Sequence, residues 1–569
     1  MSKGFSSKPK PTKKTSKAIH LSISDAINKA ATLQRNGNLN QALVIYEKLS
    51  NINCTHPNFL SNYAVLLRQK CEYKKAEDLL DKAIKLYPEN SFFYSNLSLV
   101  LYSQFKFQDA LKSINKALKF EPDNDSYLYN LGLILYKLHK LEDAKSVFIQ
   151  LIRNSPSYHK AYGELAITYC ELGELDNAED WIRKAINFDK NNRAYISNLA
   201  SILTSKGELE KAEDIALKAI SSEYKNAKPL YILSNSKNHY KNEKYLKQLF
   251  SEKYEKDLSD ISKVDLFFAR ANILHREHNY AESANYLSMA NNIKLSIYPS
   301  DFHRYENRVN KLLNLSANLE HSLERKMNNN CLFIVGMPRS GSTLTESIIS
   351  MNDLVVDLGE ARFLELAFNK IYDGNDSHKL SEMRNIYYEQ IFKRIGRNID
   401  QNLVTTDKQL YNFAYTPFIT SQIPEAKIIH CIRHPLDNIL SIYRAHFANE
   451  SRYSSSLIDS AKLYILQNRV MNFYKSKFTN NIYTLDYDLL VNSPKKEIKK
   501  LISWLGWEWK EYYLNPHLNK RNVSTASNIS VRSPINNKSI GGWRNYKKLM
   551  KPAIDELSKL SEFKYLLND

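Results

Sequence analysis

Cysteine is scarce in this chain: Cys54, Cys71, Cys170, Cys331 and Cys431 are all it has in 569 residues, an odd number with no C-x-x-C pair. That excludes a disulfide scaffold and a thiolate zinc site, so no metal is expected and a reducing, cytoplasmic setting is. No run approaches 18 uncharged apolar residues, and no membrane-spanning helix is expected. The opening stretch MSKGFSSKPKPTKKTSKA has lysines but no apolar core. It reads as a disordered basic tail over residues 1–20, not as a signal peptide. Zinc-finger spacing and RNA-binding aromatic strands are missing as well, and the net charge of +19 is spread along the chain. Such a balance fits an anionic small molecule or an acidic partner better than nucleic acid.

What is present is enough for two or three domains with cores of their own, with 43% hydrophobic and 25% charged residues. The first half is periodic. Pro88, Pro122 and Pro156 are 34 residues apart, and the same interval carries Ala42, Ala76, Ala110, Ala144, Ala178 and Ala212. A second column of small residues runs Ala30, Ala64, Ser98, Gly132, Ala166, Ala200. Two amphipathic helices per unit, crossing closely at small side chains and stopped by a proline or polar pair, explain both columns. This pattern resembles the tetratricopeptide repeat, in six copies over residues 21–226. Gly37, Gly173 and Gly207 fall at the turn between the paired helices; the other copies carry other residues there, so the turn is not expected to demand glycine.

Stacked repeats of this kind form a groove lined by their first helices, which implies a protein or peptide partner, with a rigid spacer or dimerisation module as the other reading. Tyr63, Asn96, Tyr129 and Asn130, at first-helix positions, read either as groove contacts or as ordinary helix surface. Residues 227–330 read as degenerate repeats and connecting helices, with one further pair in VDLFFARANILHREHNYAESANYLSMANN (264–292), where Ala284 keeps the second small position and Asn272 replaces the first.

At residue 331 the texture changes. CLFIVGMPRSGSTLTES (331–347) is a buried strand, a Gly-rich turn and a helix start. Gly336 and Gly341 let the backbone curl, so that N–H groups, the helix end and the hydroxyls of Ser340, Ser342 and Thr343 face an anion, with Arg339 adding charge. The lysine of an ATP-binding loop is missing: Ser342 stands in its place. AKIIHCIRHPLDNILSIYRAHF (426–447) is a second strand-to-helix unit, with Arg433 at the strand end and Ser441 two turns into the helix. Arg433 can hold a second phosphate, or it can pair with Asp437 at the helix start.

Two such clamps resemble the sulfotransferase family, including its bacterial and protein-tyrosine members, over residues 331–569. PRSGST (338–343) is similar to the family's 5′-phosphate loop and RHPLDNILS (433–441) to its 3′-phosphate segment. The resemblance implies an α/β P-loop-like domain with a mostly parallel sheet behind the all-α repeats. It implies as cofactor 3′-phosphoadenosine 5′-phosphosulfate (PAPS, product PAP) and sulfuryl transfer to an acceptor hydroxyl. VTTDKQLYNF (404–413) is similar to the segment bearing a lysine near the bridging oxygen, here Lys408, and LDYDLLVNSP (485–494) to the segment placing a tyrosine by the adenine, here Tyr487. STASNISVRSPINNKSIGGWRNY (524–546) resembles the C-terminal cofactor segment, which implies Ser527 as a 3′-phosphate contact. Gly541-Gly542 stand before Trp543 where relatives carry a basic residue, a loss for which Arg532, Lys538 or Arg544 would compensate.

Negative charge grows on the leaving oxygen during transfer, which makes Lys408 and Arg339 the stabilising cations. DLGEARFLE (357–365) resembles the Gly-Glu segment containing the base of protein-tyrosine enzymes and implies Glu360, although its spacing to Arg362 differs by one residue; Glu365 and His446 are alternatives. The acceptor is open between protein tyrosine, saccharide and small metabolite, with protein favoured by the repeats. The other reading is a repeat scaffold whose C-terminal domain binds a nucleotide without turnover. A kinase is disfavoured by the missing loop lysine.

Overall fold

The computed structural model describes residues 22–220, 226–236, 242–316, 330–371, 382–395, 403–447, 451–519 and 530–568. The expected basic tail over 1–20 lies outside them. By packing, the chain forms two compact units, Met1–Thr168 and Tyr169–Asp569.

The first unit is built of helix pairs: Ile23–Arg35 with Leu39–Asn51, Pro57–Gln69 with Tyr73–Leu86, Ser91–Ser103 with Phe107–Phe120, and Asp125–Lys137 with Leu141–Asn154. Side-chain caps start several first helices, as where Asn124 accepts from the N–H groups of Ser126 and Tyr127. The small columns are fully buried at Ala30, Ala64 and Ser98 and at Ala42, Ala76, Ala110 and Ala144. Gly132 shows why they must be small: a Cβ there would sit 2.5 Å from the Phe148 ring.

Every turn between the six described repeat pairs is left-handed, in the copies without glycine as in those with it. In the first unit the φ values are 79° at Gly37, 60° at Cys71, 62° at Phe105 and 55° at His139. The cause is the helix ending: the next N–H reaches back five residues, as from Glu72 to the Leu67 carbonyl at 2.9 Å. In the second unit Gly173, Gly207 and His278 repeat this conformation.

The second unit opens with helices of the same kind, among them Arg193–Lys206 with Leu209–Ala219, and the long pair Asp260–Arg276 with Tyr280–Ile297. Asn272, at the position kept small elsewhere, donates to the Ser234 hydroxyl at 3.1 Å. The sheet follows: β1 (Asn330–Gly336), α1 (Ser342–Ile349), β2 (Val355–Asp357), β3 (Val404–Asp407), β4 (Lys427–Ile432), α2 (Pro435–Arg444) and β5 (Ile482–Asp486). Its strand order is β2-β3-β1-β4-β5, with every pairing parallel.

Both faces of the sheet are covered, as a parallel sheet requires. Phe333, Val335 and Ile428 face one cluster, which also takes in Leu230, Phe267 and Leu287 from the preceding helices. Leu332, Ile334, Ile429 and Cys431 alternate onto the other, against Ile348 and Leu485. From β1 the chain goes to one side for β2 and β3 and to the other for β4 and β5, so the order reverses between β1 and β4. Open α/β sheets bind ligands at the carboxyl ends of such a pair. The two loops singled out by sequence leave the sheet there.

Candidate functional site

β1 and β4 approach so closely that a Cβ on Gly336 would lie 2.4 Å from the Cys431 carbonyl oxygen. The chain then curls through Arg339, held at φ 67°. It enters α1 from Gly341 at φ 95°. Gly341 is covered by the Tyr487 ring, 2.5 Å from where a Cβ would be, which leaves no other residue room there.

Side chains of the second segment lace this loop in place. Arg433 donates to the Arg339 carbonyl at 3.2 Å and to the Ser539 carbonyl at 2.9 Å. Its guanidinium lies over the Tyr487 ring, 4.8 Å from the centroid. The Tyr487 hydroxyl and the Ser539 hydroxyl are hydrogen-bonded at 3.1 Å. Arg339 Nε donates to Ser441 Oγ at 3.1 Å, and the Asn438 amide donates to the Pro338 carbonyl at 2.9 Å. The structure thus gathers Arg339, Ser340, Gly341, Arg433, Ser441 and Tyr487 into one constellation. Ser342 and Thr343 are buried in the first turn of α1. Asn438 and Ser539 belong to it too and were missed, one as an ordinary helix amide, the other because its carbonyl rather than its side chain meets Arg433.

Two guanidinium groups share this small volume. Burial, and then the neighbouring charge of Arg433, push Arg339 down to about 10. Ser340 Oγ and Arg433 Nε are buried there without a hydrogen-bond partner among the described residues. Crowded cations, an orphan hydroxyl, an orphan guanidinium N–H and a helix N-terminus make a donor set that fits a phosphorylated ligand.

A second cluster forms where β2 runs out beside β3. The Lys408 N–H bonds the Gly359 carbonyl at 3.0 Å, which brings Glu360 alongside. Lys408 Nζ is 3.3 Å from Glu360 and 3.1 Å from Glu346 of α1. Glu346 and Lys408 are sealed from solvent, whereas the Glu360 side chain is 48% exposed. Asp407, also buried, accepts from Tyr387, Gln409 and Asn412. Burial pushes its carboxyl up to about 7, with Glu346 adding to the rise. Sequence reading found Lys408 and Glu360 but missed Glu346, the one carboxylate in TLTESII, and Asp407.

Other candidates are engaged elsewhere. Glu365 pairs with Arg308 at 2.5 Å and with Arg362 at 3.9 Å. His446 bonds Asp265 at 2.8 Å and stacks on Phe268. Asp437 is not an Arg433 partner in the ion pairs of the described residues: it accepts from the Gly541 N–H at 2.6 Å and the Trp543 N–H at 2.9 Å. The Gly-Gly pair therefore docks through its backbone. Arg532 does not join the loop; it donates to the Ser205 carbonyl at 3.0 Å and packs on Gly207. Lys538 and Arg544 are exposed. Ser527 lies outside the described residues.

Comparison with known proteins agrees with both halves. Residues 331–511 match the model described as Sulfotransferase family, and residues 95–144 and 129–195 match Tetratricopeptide repeat. An uncharacterized protein of Aquifex aeolicus (strain VF5) is 30% identical over 244 residues, which is 40% of this chain and 32% of that protein; the chain thus spans about a third of its relative's length. Among solved structures, PilF of Pseudomonas aeruginosa is 20% identical with a TM-score of 0.31, covering 34% of this chain and 89% of its own. A tetratricopeptide repeat protein from Parabacteroides merdae ATCC 43184 is 15% identical with a TM-score of 0.35, covering 48% and 92%. The chain carries an N-terminal tetratricopeptide-repeat region and a C-terminal sulfotransferase-family domain.

Proposed function

We propose that this protein is a PAPS-dependent sulfotransferase that modifies a hydroxyl of a polypeptide acceptor, a tyrosine first among them, with the repeats recruiting that acceptor. The observation that carries the reading is the convergence of Arg339 and Arg433 at the β1–β4 mouth, beside a Ser340 hydroxyl that has no hydrogen-bond partner among the described residues. When bound, PAPS supplies the activated sulfuryl group. The loop from Gly336 to Thr343 holds the 5′ side, and Arg433 with Ser441 holds the 3′-phosphate. Lys408 and Arg339 offset charge growing on the leaving oxygen, an effect larger in the transition state than in the ground state. Glu360, the most exposed carboxylate beside Lys408, accepts the acceptor's proton. No lysine in the loop is needed, because this chain's cations come from Arg339, Arg433 and Lys408.

Calorimetric titration with PAP and with Mg-ATP tests the reading. Binding of PAP, absence of ATP binding and loss of PAP binding in Arg433→Ala with Ser441→Ala are expected. Unchanged PAP affinity in that double variant would refute the site, and PAP binding with no transfer to any peptide or glycan from sulfur-labelled PAPS would leave a nucleotide-binding scaffold.

A further inference from the structure

The ammonium of Lys408 is shared. Its Nζ is 3.1 Å from Glu346 and 3.3 Å from Glu360, so one cation faces two carboxylates. Asp407, the residue before it, is engaged separately by Tyr387, the Gln409 N–H and Asn412.

The two carboxylates differ in what they can reach. Glu346 is sealed at 0% exposure, whereas the Glu360 side chain is 48% exposed beside a lysine that is 2% exposed. Glu346 can hold Lys408 but cannot meet a ligand's proton. Glu360 can do both.

The backbone builds this contact, which is more than a chance meeting of surface side chains. The Leu358 N–H donates to the Thr406 carbonyl at 2.9 Å and the Lys408 N–H to the Gly359 carbonyl at 3.0 Å, which carries the β2–β3 pairing one step past the strands. The Gln409 amide then donates to the Glu360 carbonyl at 3.2 Å. Glu360 and Lys408 are thus fixed on neighbouring strand ends, at the carboxyl edge of the sheet where β1 gives way to its loop.

A carboxylate within about 4 Å of an ammonium offsets most of the field which that ammonium exerts on a third group. Paired with two of them, Lys408 has little charge to offer an oxygen that is becoming negative. Neutralising one restores it.

We propose that proton uptake by Glu360 releases Lys408 to the leaving oxygen, while Glu346 keeps the lysine ionised and in place throughout. This rests on reading the site as one for sulfuryl transfer from PAPS. In that transfer the acceptor oxygen bonds to sulfur and its proton passes to Glu360. The bond from sulfur to the 5′-phosphate oxygen breaks, and its electron pair stays on that oxygen. Protonated Glu360 no longer competes for the ammonium, which still has hydrogens to donate. Deprotonation of the acceptor and stabilisation of the leaving group become one event, and Glu346 is its positioning residue.

The probe is PAP, which carries the 5′-phosphate without the sulfuryl group, and a glutamine at position 360 stands in for the protonated carboxyl. By calorimetry, Glu360→Gln is expected to bind PAP about tenfold tighter than wild type, the worth of a charge-assisted hydrogen bond gained at Lys408. Lys408→Met with Glu346→Gln removes the buried pair as a unit and leaves neither charge alone. In that background Glu360→Gln is expected to change PAP affinity by under about threefold, as an exposed charge does. Unchanged or weaker PAP binding in Glu360→Gln would overturn the inference, whether or not the paired variant folds. Equal tightening in both backgrounds would overturn it too, since it would show a general effect of removing a negative charge. PAP binding by the wild-type chain separates these failures from failure of the sulfotransferase reading: with none, both fall.

Discussion

Lys408 Nζ lies 3.1 Å from a carboxylate oxygen of Glu346, and neither side chain reaches solvent. The pair links β3 to α1, and so ties the cation beside Glu360 to the helix that begins at the Gly336–Thr343 loop. Removing one member of a buried pair leaves the other charge uncompensated, which costs about 3–5 kcal/mol.

Glu346→Gln is therefore expected to lower stability by about 3 kcal/mol in chemical denaturation. Glu360→Gln, which touches only the exposed end, is expected to cost under about 1 kcal/mol. Equal losses in the two variants would show that the buried pair does not hold β3 to α1.

Asp407 gives a pH dependence. Its folded value is raised from 3.8 to about 7, so the folded state holds the proton more tightly than the unfolded chain. Its contribution is fully present below the unfolded value and is lost as pH rises through about 7. Asp407→Asn should flatten that decline: the variant gains on wild type between pH 4 and 7. Urea midpoints across this window measure it, and parallel curves would refute the assignment.

The Arg339–Arg433 repulsion predicts that a simple oxyanion stabilises the second unit. At matched ionic strength, replacing chloride with sulfate is expected to raise the melting temperature, and Arg433→Ala to abolish the rise. A shift of the same size in the variant would mean the anion acts on the surface generally.

At Cys71 a non-glycine residue is held at φ 60° with its side chain exposed. Left-handed backbone costs an ordinary residue about 1–2 kcal/mol, and glycine's greater freedom in the unfolded chain returns part of this. Cys71→Gly is expected to stabilise by about 0.5 kcal/mol, and Cys71→Val to destabilise, as read from thermal melts.

Much of this architecture was legible in the sequence because it repeats or alternates. The 34-residue columns mark residues that must be small, and a helical repeat cannot hide a constraint imposed at every crossing. The turn was legible only in part: three copies bear glycine and three do not, and residue identity does not show that the backbone adopts one conformation in all six. In the sheet domain, Gly336, Arg339 and Arg433 were visible as a Gly-rich turn and an arginine after buried strands, Ser441 as a hydroxyl on the helix that follows, and Tyr487 through the family resemblance. Glu346 was not, since a glutamate on a short helix ordinarily faces water, and its burial follows only from Lys408 arriving from another strand. Arg532 illustrates the opposite error: position near a motif does not say where a long side chain goes. The Asp437 contacts to Gly541 and Trp543 involve main-chain N–H groups, which leave no mark on residue identity.

Those last contacts bear on how the protein is made. Arg433 bonds the Ser539 carbonyl, Tyr487 bonds its hydroxyl, and Asp437 fastens the chain two residues later. A ribosome will have released the repeats and the whole five-stranded sheet before Ser539 emerges, and domains generally fold in that order. Until then the arginine that clamps the loop lacks one of its two carbonyls, and Tyr487 its partner. A chain stopped just short of Ser539 would contain every strand yet leave the Gly336–Thr343 loop unlaced, which makes emergence of the Ser539–Trp543 segment the event that fixes the loop.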